Sequence, residues 1–267
     1  MPEYLQAGQA RIAYERSGDG PPLLLMHGAE ANRQMFDALV PLLSPRFTVI
    51  AYDQRDCGDT EAPTEAATLA ELAQDAAALI DGLGWQRAHV FGSSFGGRVA
   101  QALALLHPAS VDRLVLGSTW ALPRAYAELL PEGAVQLGAL RGRLPGSAEE
   151  LAGWFFPEAF LRERPELRQI FAAARPQTER SQRRARAVAS TLALSPAAIA
   201  APTLVIAGEL DRVVPLQLTM QLARAIAGSE QVLLPGVGHV TVMQATAIVA
   251  GHLTRFLLEA KETRHAR

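Results

Sequence analysis

Val90-Phe91-Gly92-Ser93-Ser94-Phe95-Gly96-Gly97-Arg98 is the stretch on which the fold of this chain turns. An apolar run, Ala88 to Phe91, meets a glycine-flanked serine and passes at once into a helical pattern with Val99, Leu103 and Leu106 on one face. The serine is expected where a strand turns sharply into a helix, the geometry that exposes a nucleophile. In so tight a turn the positions two before and two after the serine come close to neighbouring backbone, so Gly92 and Gly96 fit where larger residues would clash. Of the two adjacent serines only Ser94 has glycine at both offsets, and Ser93 is expected to pack or to hydrogen-bond the turn.

Upstream, Ala10 to Arg16 alternates through Ile12 and Tyr14 as a half-buried strand does, and Ser17-Gly18-Asp19-Gly20-Pro21 ends it. Leu23-Leu24-Leu25-Met26 is too uniformly apolar for a one-faced strand, and His27-Gly28-Ala29-Glu30 follows it directly. A helix with Met35, Phe36, Leu39 and Leu42-Leu43 inward is expected next, then a buried strand over Phe47 to Tyr52. Thr68-Leu69-Ala70-Glu71 has capping-box spacing and opens a helical stripe running to Gly84. This is βαβ alternation around a largely parallel sheet. Downstream, after the strand Leu114-Val115-Leu116, the rhythm breaks. The 85 residues from Ser118 to Pro202 hold no convincing buried strand and are broken by prolines, which predicts a helical insertion into a core of residues 1–117 and 203–267. The sheet resumes with Thr203 to Ala207, a helix over Leu218, Leu222 and Ile226, a strand at Gln231 to Leu234 and a final helix over Ile248 to Leu257. Glu259 to Arg267 is expected as a frayed tail.

An unassisted serine hydroxyl is a poor nucleophile and needs a base in reach, itself held in one tautomer. Gly208-Glu209-Leu210-Asp211 follows one late strand and Gly236-Val237-Gly238-His239 the next, so Asp211 and His239 fall on loops leaving the same sheet edge as Ser94. Glu209 is the rival acid, whereas Gly117-Ser118-Thr119-Trp120 offers no carboxylate. The order serine, aspartate, histidine, with a His-Gly loop upstream, resembles the α/β-hydrolase fold. The resemblance covers about Ile12 to Leu257 and implies a mostly parallel central sheet flanked by helices, with a helical cap. It implies Ser94 as nucleophile, His239 as general base and then acid, and Asp211 as its orienting residue. The oxyanion hole would be the backbone N–H groups of Ala29 and Phe95. A carboxylate at Glu30 would oppose an oxyanion, so Glu30 is expected in solvent or in a salt bridge.

Tyr52-Asp53-Gln54-Arg55-Asp56-Cys57-Gly58-Asp59-Thr60 resembles the Asp-x-Arg-Gly-x-Gly-x-Ser loop of many α/β-hydrolases, with Asp56 in place of the first glycine and Thr60 of the serine. Asp53 and Arg55 are expected to be structural, and Cys57 unreactive. His27 is expected to fix its loop and His89 to be packed or paired. His107, His252 and His265 fall at helix ends or in the tail.

The insertion carries Trp120 and Trp154-Phe155-Phe156, from which Trp120, Trp154 and Phe155 are candidate substrate-binding residues. Between Arg162 and Arg186, eight arginines stand against Glu163, Glu166 and Glu179, a local balance of +5. They are expected either on a solvated helix face or, in part, reaching a substrate carboxylate. Trp154-Phe155 and Glu158 to Pro165 resemble the cap of 3-oxoadipate enol-lactonases, which implies a lactone or small ester bearing an acid.

Hydrolysis of a small ester or lactone through a Ser94 acyl-enzyme is therefore expected. Carbon–carbon bond hydrolysis on the same triad and non-catalytic binding are the alternatives. Haloalkane and epoxide chemistry through an alkyl-enzyme uses a carboxylate where this chain has Ser94. A net charge of −2 gives no field favouring nucleic acid or an anionic membrane, and the composition leaves oligomeric state open. The single cysteine and the N-terminal residues, which lack a leader pattern, suggest a reducing, cytoplasmic setting. No metal or nucleotide motif is present, so no cofactor is expected.

Overall fold

Leu23-Leu24-Leu25-Met26 and Val49-Ile50-Ala51-Tyr52 are apolar throughout because both faces of their strands are covered. Leu24, Met26, Ile50 and Tyr52 face one helical layer, while Leu23, Leu25, Val49 and Ala51 face another. The computed structural model describes residues 1–172 and 178–259. Strands β1 (Glu3–Ala7), β2 (Ala10–Ser17), β3 (Pro22–Met26), β4 (Thr48–Tyr52), β5 (Ala88–Ser93), β6 (Val111–Gly117), β7 (Thr203–Gly208) and β8 (Glu230–Leu234) form one eight-stranded sheet in the order β1-β2-β4-β3-β5-β6-β7-β8. β1 and β2 pair antiparallel, as do β2 and β4, and the pairings from β4 to β8 are parallel. The chain steps from β3 out to β4 and then back across to β5. The carboxyl ends of β3 and β5 thus lie side by side at the point where strand order reverses, the crevice where ligands bind in such sheets.

The helices follow the pattern of the sequence with local departures. The segment expected as one helix after β3 is a 3₁₀ turn, Arg33–Phe36, followed by the short α1 (Val40–Leu43), and Leu42 lies 47% exposed rather than inward. α2 (Leu69–Gly82) opens with the capping box, in which the Thr68 hydroxyl accepts from the Glu71 N–H and the Glu71 carboxylate accepts from the Thr68 N–H. α3 (Phe95–Leu106) buries Val99 and Leu103, but Leu106 is exposed at its end.

Between β6 and β7 the described residues form helices and loops only: α4 (Tyr126–Leu129), α5 (Pro131–Gly142), α6 (Ala148–Phe155), α7 (Glu158–Glu163), α8 (Glu166–Ala172) and α9 (Glu179–Ala189). This insertion has apolar clusters of its own, one joining Trp120, Leu137, Leu140, Leu151 and Trp154 to Val213 and Val214 of the core. Its two connections to the sheet are tied down by one buried side chain. Arg98 of α3 donates to the carbonyls of Leu122 at 2.8 Å and Ser190 at 2.9 Å, and more distantly to those of Arg124 and Val188. It also lies 5.0 Å from the centre of the Trp120 ring.

The chain then completes the sheet and adds α10 (Leu216–Ala225), α11 (Thr241–Gln244) and α12 (Thr246–Leu258). α12 buries Val249, Leu253, Phe256 and Leu257, whereas Ile248 is 57% exposed. Of the expected tail, Glu259 is engaged, its carbonyl accepting from Arg113 at 2.8 Å, and residues 260–267 with His265 lie outside the described residues. β1 was not foreseen: Glu-Tyr-Leu-Gln-Ala lacks apolar alternation and its pairing with β2 supplies the strand. No described helix is long and apolar enough to cross a membrane.

Candidate active site

Ser94 stands between β5 and α3 with φ +55° and ψ −120°, a left-handed conformation that costs a non-glycine residue roughly 1–3 kcal/mol. Its surroundings hold it there. The Ser94 N–H donates to the Gly117 carbonyl at 2.8 Å, and the Ser94 carbonyl accepts from Gly97 N–H at 2.9 Å and the Thr119 hydroxyl at 2.7 Å. The flanking glycines are needed for space: a Cβ on Gly92 would stand 2.3 Å from the Gly96 carbonyl oxygen, and one on Gly96 would stand 2.2 Å from that of Met26. Ser93 is buried beneath the turn.

The loops after β7 and β8 bring two further side chains to this serine. His239 Nε2 lies 2.9 Å from Ser94 Oγ, and His239 Nδ1 lies 2.8 Å from Asp211 Oδ2. The other oxygen of Asp211 accepts from Val213 N–H at 2.9 Å and Val214 N–H at 2.8 Å, so the carboxylate cannot rotate away. A carboxylate partner keeps the proton on Nδ1 and leaves the Nε2 lone pair facing the serine hydroxyl. Such an arrangement can withdraw a proton from Ser94. Glu209 has another task, its carboxylate accepting from Gly236 N–H at 2.9 Å in the loop after β8.

The insertion reaches His239 directly. Phe155 accepts the His239 main-chain N–H on its carbonyl at 2.9 Å, and its ring stands edge-on to the imidazole at 5.6 Å. Phe155 is half-buried and also stacks on Phe171. Trp120 and Trp154 lie deeper, in the cluster against Val213 and Val214, so of the aromatic candidates Phe155 touches the triad and the tryptophans back it.

The loop after β3 closes the other side. A Cβ on Gly28 would stand 3.7 Å from Ser94 Cβ. His27 is fully buried: its Nε2 accepts from Gln54 N–H at 3.1 Å, so Nδ1 carries the proton and donates to the Gly28 carbonyl at 2.8 Å. Burial, with the charge of Arg184 nearby, pulls the His27 imidazole down to about 3 and keeps it neutral. Glu30 pairs with Arg141 of α5 at 2.6 Å.

The loop from Tyr52 to Thr60 is a scaffold. Asp53 is buried and accepts from Arg33 N–H at 2.7 Å and Asp59 N–H at 2.8 Å while pairing with the Arg33 guanidinium. Arg55 forks onto Asp75 at 2.6 and 2.8 Å. Asp56, where the resembling loops carry glycine, keeps the left-handed backbone with φ +63° and pairs with Arg183 of α9 at 2.8 Å. Cys57 is buried, which pushes its thiol pKa up. His89 is buried against Phe47 with Asp112 at 3.6 Å, His107 caps α3, and His252 lies half-buried on α12.

The arginine-rich stretch serves several ends. Arg168 pairs with Glu149 and Glu158, Arg180 donates to the carbonyls of Cys57, Gly58 and Thr60, and Arg175 lies outside the described residues. Arg184 reaches the loop after β3, donating to Ala29 O at 2.9 Å and Gly28 O at 3.3 Å. Nothing in the sequence singles it out from its neighbours. Gln54 was also not foreseen. Among the described residues no three His, Cys, Asp or Glu side chains converge as a metal site would require.

This sheet, with a serine, histidine and aspartate meeting at its carboxyl edge, is that of an α/β-hydrolase. Residues 21–246 match the family described as alpha/beta hydrolase fold, and the chain belongs to it. Among its relatives, the 2-hydroxymuconate semialdehyde hydrolase of Pseudomonas sp. strain CF600 is 31% identical over 97% of this chain and 94% of that protein. A thermophilic esterase from Thermogutta terrifontis, solved with malate bound, superposes with a TM-score of 0.81 at 28% identity over 96% of this chain and 98% of its own. The enol-lactonase of Burkholderia xenovorans LB400 gives a TM-score of 0.81 at 26% identity, covering 96% of this chain and 100% of that one. Hydrolysis is the chemistry these relatives share.

Proposed function

We propose that the protein hydrolyses a small carboxylic ester or lactone bearing an acid group, through an acyl-enzyme on Ser94. The observation that carries the reading is the continuous chain from Asp211 Oδ2 through His239 to Ser94 Oγ, at 2.8 and 2.9 Å. His239 Nε2 takes the Ser94 proton as Oγ bonds to the carbonyl carbon, and Asp211 stabilises the imidazolium that forms. The negative charge on the carbonyl oxygen falls to the N–H groups of Ala29 and Phe95, the latter at the first position of α3, where main-chain donors have no intrahelical acceptor. The imidazolium then protonates the leaving oxygen. Water, deprotonated by His239, attacks the acyl carbon and returns Ser94 with release of the acid.

The insertion acts as a cap, with Phe155 as the wall next to His239 and Trp120 and Trp154 supporting it. Support for an acid-bearing substrate comes from charge. Arg184 is 5% exposed and its hydrogen bonds among the described residues go to neutral oxygens, so a buried guanidinium with no carboxylate bonded to it stands beside the loop that adjoins Ser94. The likeness to the enol-lactonase and to an esterase that holds malate points the same way. The 31% identical semialdehyde hydrolase favours a second reading. Its named substrate has no ester bond, so water must cleave carbon from carbon, and the same triad suits that reaction.

Proton release in a pH-stat separates these readings. Wild type and Ser94→Ala are compared on neutral esters, simple lactones, an enol-lactone carrying a carboxylate and a vinylogous 1,5-diketo acid. Turnover of the carboxylated lactone or ester above its neutral analogue, lost in Ser94→Ala by at least about 10³-fold, is the expected result. Turnover confined to the diketo acid would replace the first reading with the second.

A further inference from the structure

Arg184 touches both residues that would supply the oxyanion hole. The Gly28–Ala29 peptide offers its N–H to the substrate oxygen, and the carbonyl at its other end accepts from Arg184 Nη2 at 3.3 Å and from His27 Nδ1 at 2.8 Å. The next carbonyl, that of Ala29, accepts from Arg184 Nε at 2.9 Å. Gln54 braces the arrangement: its Oε1 lies 3.4 Å from both Nη atoms of Arg184, and its Nε2 donates to His27 O at 2.7 Å. The guanidinium also lies 4.6 Å from the centre of the Phe95 ring, and Phe95 carries the second donor.

Arg184 is not part of the sheet core. It arrives on α9, which Arg180 and the Arg183–Asp56 pair fasten to the loop at residues 56–60. We propose that Arg184 is a positioning residue of the oxyanion hole: delivered by the insertion, it fixes and polarises the Gly28–Ala29 peptide, so the hole is complete only when α9 is docked. A hydrogen bond to the carbonyl of an amide draws electron density from its nitrogen and strengthens the N–H as a donor. Two donors on one buried carbonyl also remove the freedom of that peptide to turn, and preorganised donors are the ones that stabilise a developing charge. The planar guanidinium suits this, because its fork reaches consecutive carbonyls at once. The proposal rests on the serine-hydrolase reading and differs from carboxylate recognition, since it requires Arg184 for neutral substrates too.

The test uses 4-nitrophenyl acetate, a small neutral ester, with wild type, Arg184→Gln and Arg184→Lys. Positioning predicts that kcat falls about 10–100-fold in Arg184→Gln with KM within about twofold of wild type, and that Arg184→Lys recovers part of the loss. An unchanged kcat on this ester, or a loss seen only as raised KM for acid-bearing substrates, overturns the proposal. A second readout needs no turnover. Glycine labelled at the carbonyl with ¹³C and alanine labelled with ¹⁵N select the Gly–Ala peptides, which are those at Gly28, Gly133 and Gly138. In Arg184→Gln the Ala29 amide proton is expected to move upfield while the signals of Ala134 and Ala139 stay in place. An unmoved Ala29 signal overturns the proposal. Should Arg184→Gln fail to fold, Arg184→Lys is read by both methods. A wild type inactive on every ester, with the Ala29 shift still present, would fault the hydrolase reading and leave the peptide–arginine coupling standing.

Discussion

His27 and His239 are both buried histidines with two bonded ring nitrogens, and their partners give them opposite duties. Asp211 leaves His239 with a lone pair toward Ser94, whereas Gln54 N–H occupies the corresponding lone pair of His27 and commits its proton to Gly28. The His27 imidazole stays neutral in the folded protein down to about 3, while an unfolded histidine takes up a proton near 6.5. Between those values the unfolded chain binds the extra proton, so stability falls as pH falls through that window, by about 1.4 kcal/mol per pH unit from this group. Urea unfolding at pH 6 and pH 5 is expected to show this slope in wild type and a shallower one in His27→Gln. An identical slope in both would mean that other groups govern acid unfolding. Ser94, Asp211 and His239 were legible because a tight turn and two strand-end loops impose their spacing locally. Arg184 was not, because its bond to Ala29 spans 155 residues and neighbouring arginines share its local pattern.

At the scale of elements, α3 carries more than the turn at its start. One turn into the helix, Arg98 gathers carbonyls from both connections between the sheet and the insertion, and its complete burial lowers its pKa to about 10. Arg98→Met keeps the apolar stem but leaves buried carbonyls without donors, at about 1–3 kcal/mol each. A lower melting temperature and faster tryptic cleavage within residues 118–202 are expected, the cleavage rising more than global destabilisation accounts for. Cleavage that simply tracks melting temperature would show that Arg98 stabilises the sheet rather than the connections. The central strands and α2 were legible because two-sided burial and a capping box mark themselves in composition. β1 and the broken segment after β3 were not: the first is made by pairing with β2, and the second is set by the Asp53–Arg33 contacts rather than by periodicity.

The molecule as a whole packs large apolar layers on either side of its sheet and smaller clusters within the insertion. Local opening is cheaper where less apolar surface is buried, so amide hydrogen exchange is expected to be slowest in β3, β5, β6 and β7 and faster across α5 to α8. Uniform protection across both regions would indicate that they open only together. The family and the order of its parts were legible at this scale from strand and helix alternation together with the order of Ser94, Asp211 and His239, but how the insertion meets the sheet was not, since its contacts pair residues far apart in the chain. One of these is the His239 N–H held by the Phe155 carbonyl. Because the donor is main chain and the acceptor is main chain, no substitution at either position short of proline at 239 removes these groups, yet the acceptor leaves with the insertion if that segment is exchanged. Recombining this sheet with the insertion of another hydrolase would therefore retain all three triad side chains while removing this support of the histidine, and a chimera's activity would depend on whether the incoming segment presents a carbonyl at the same place.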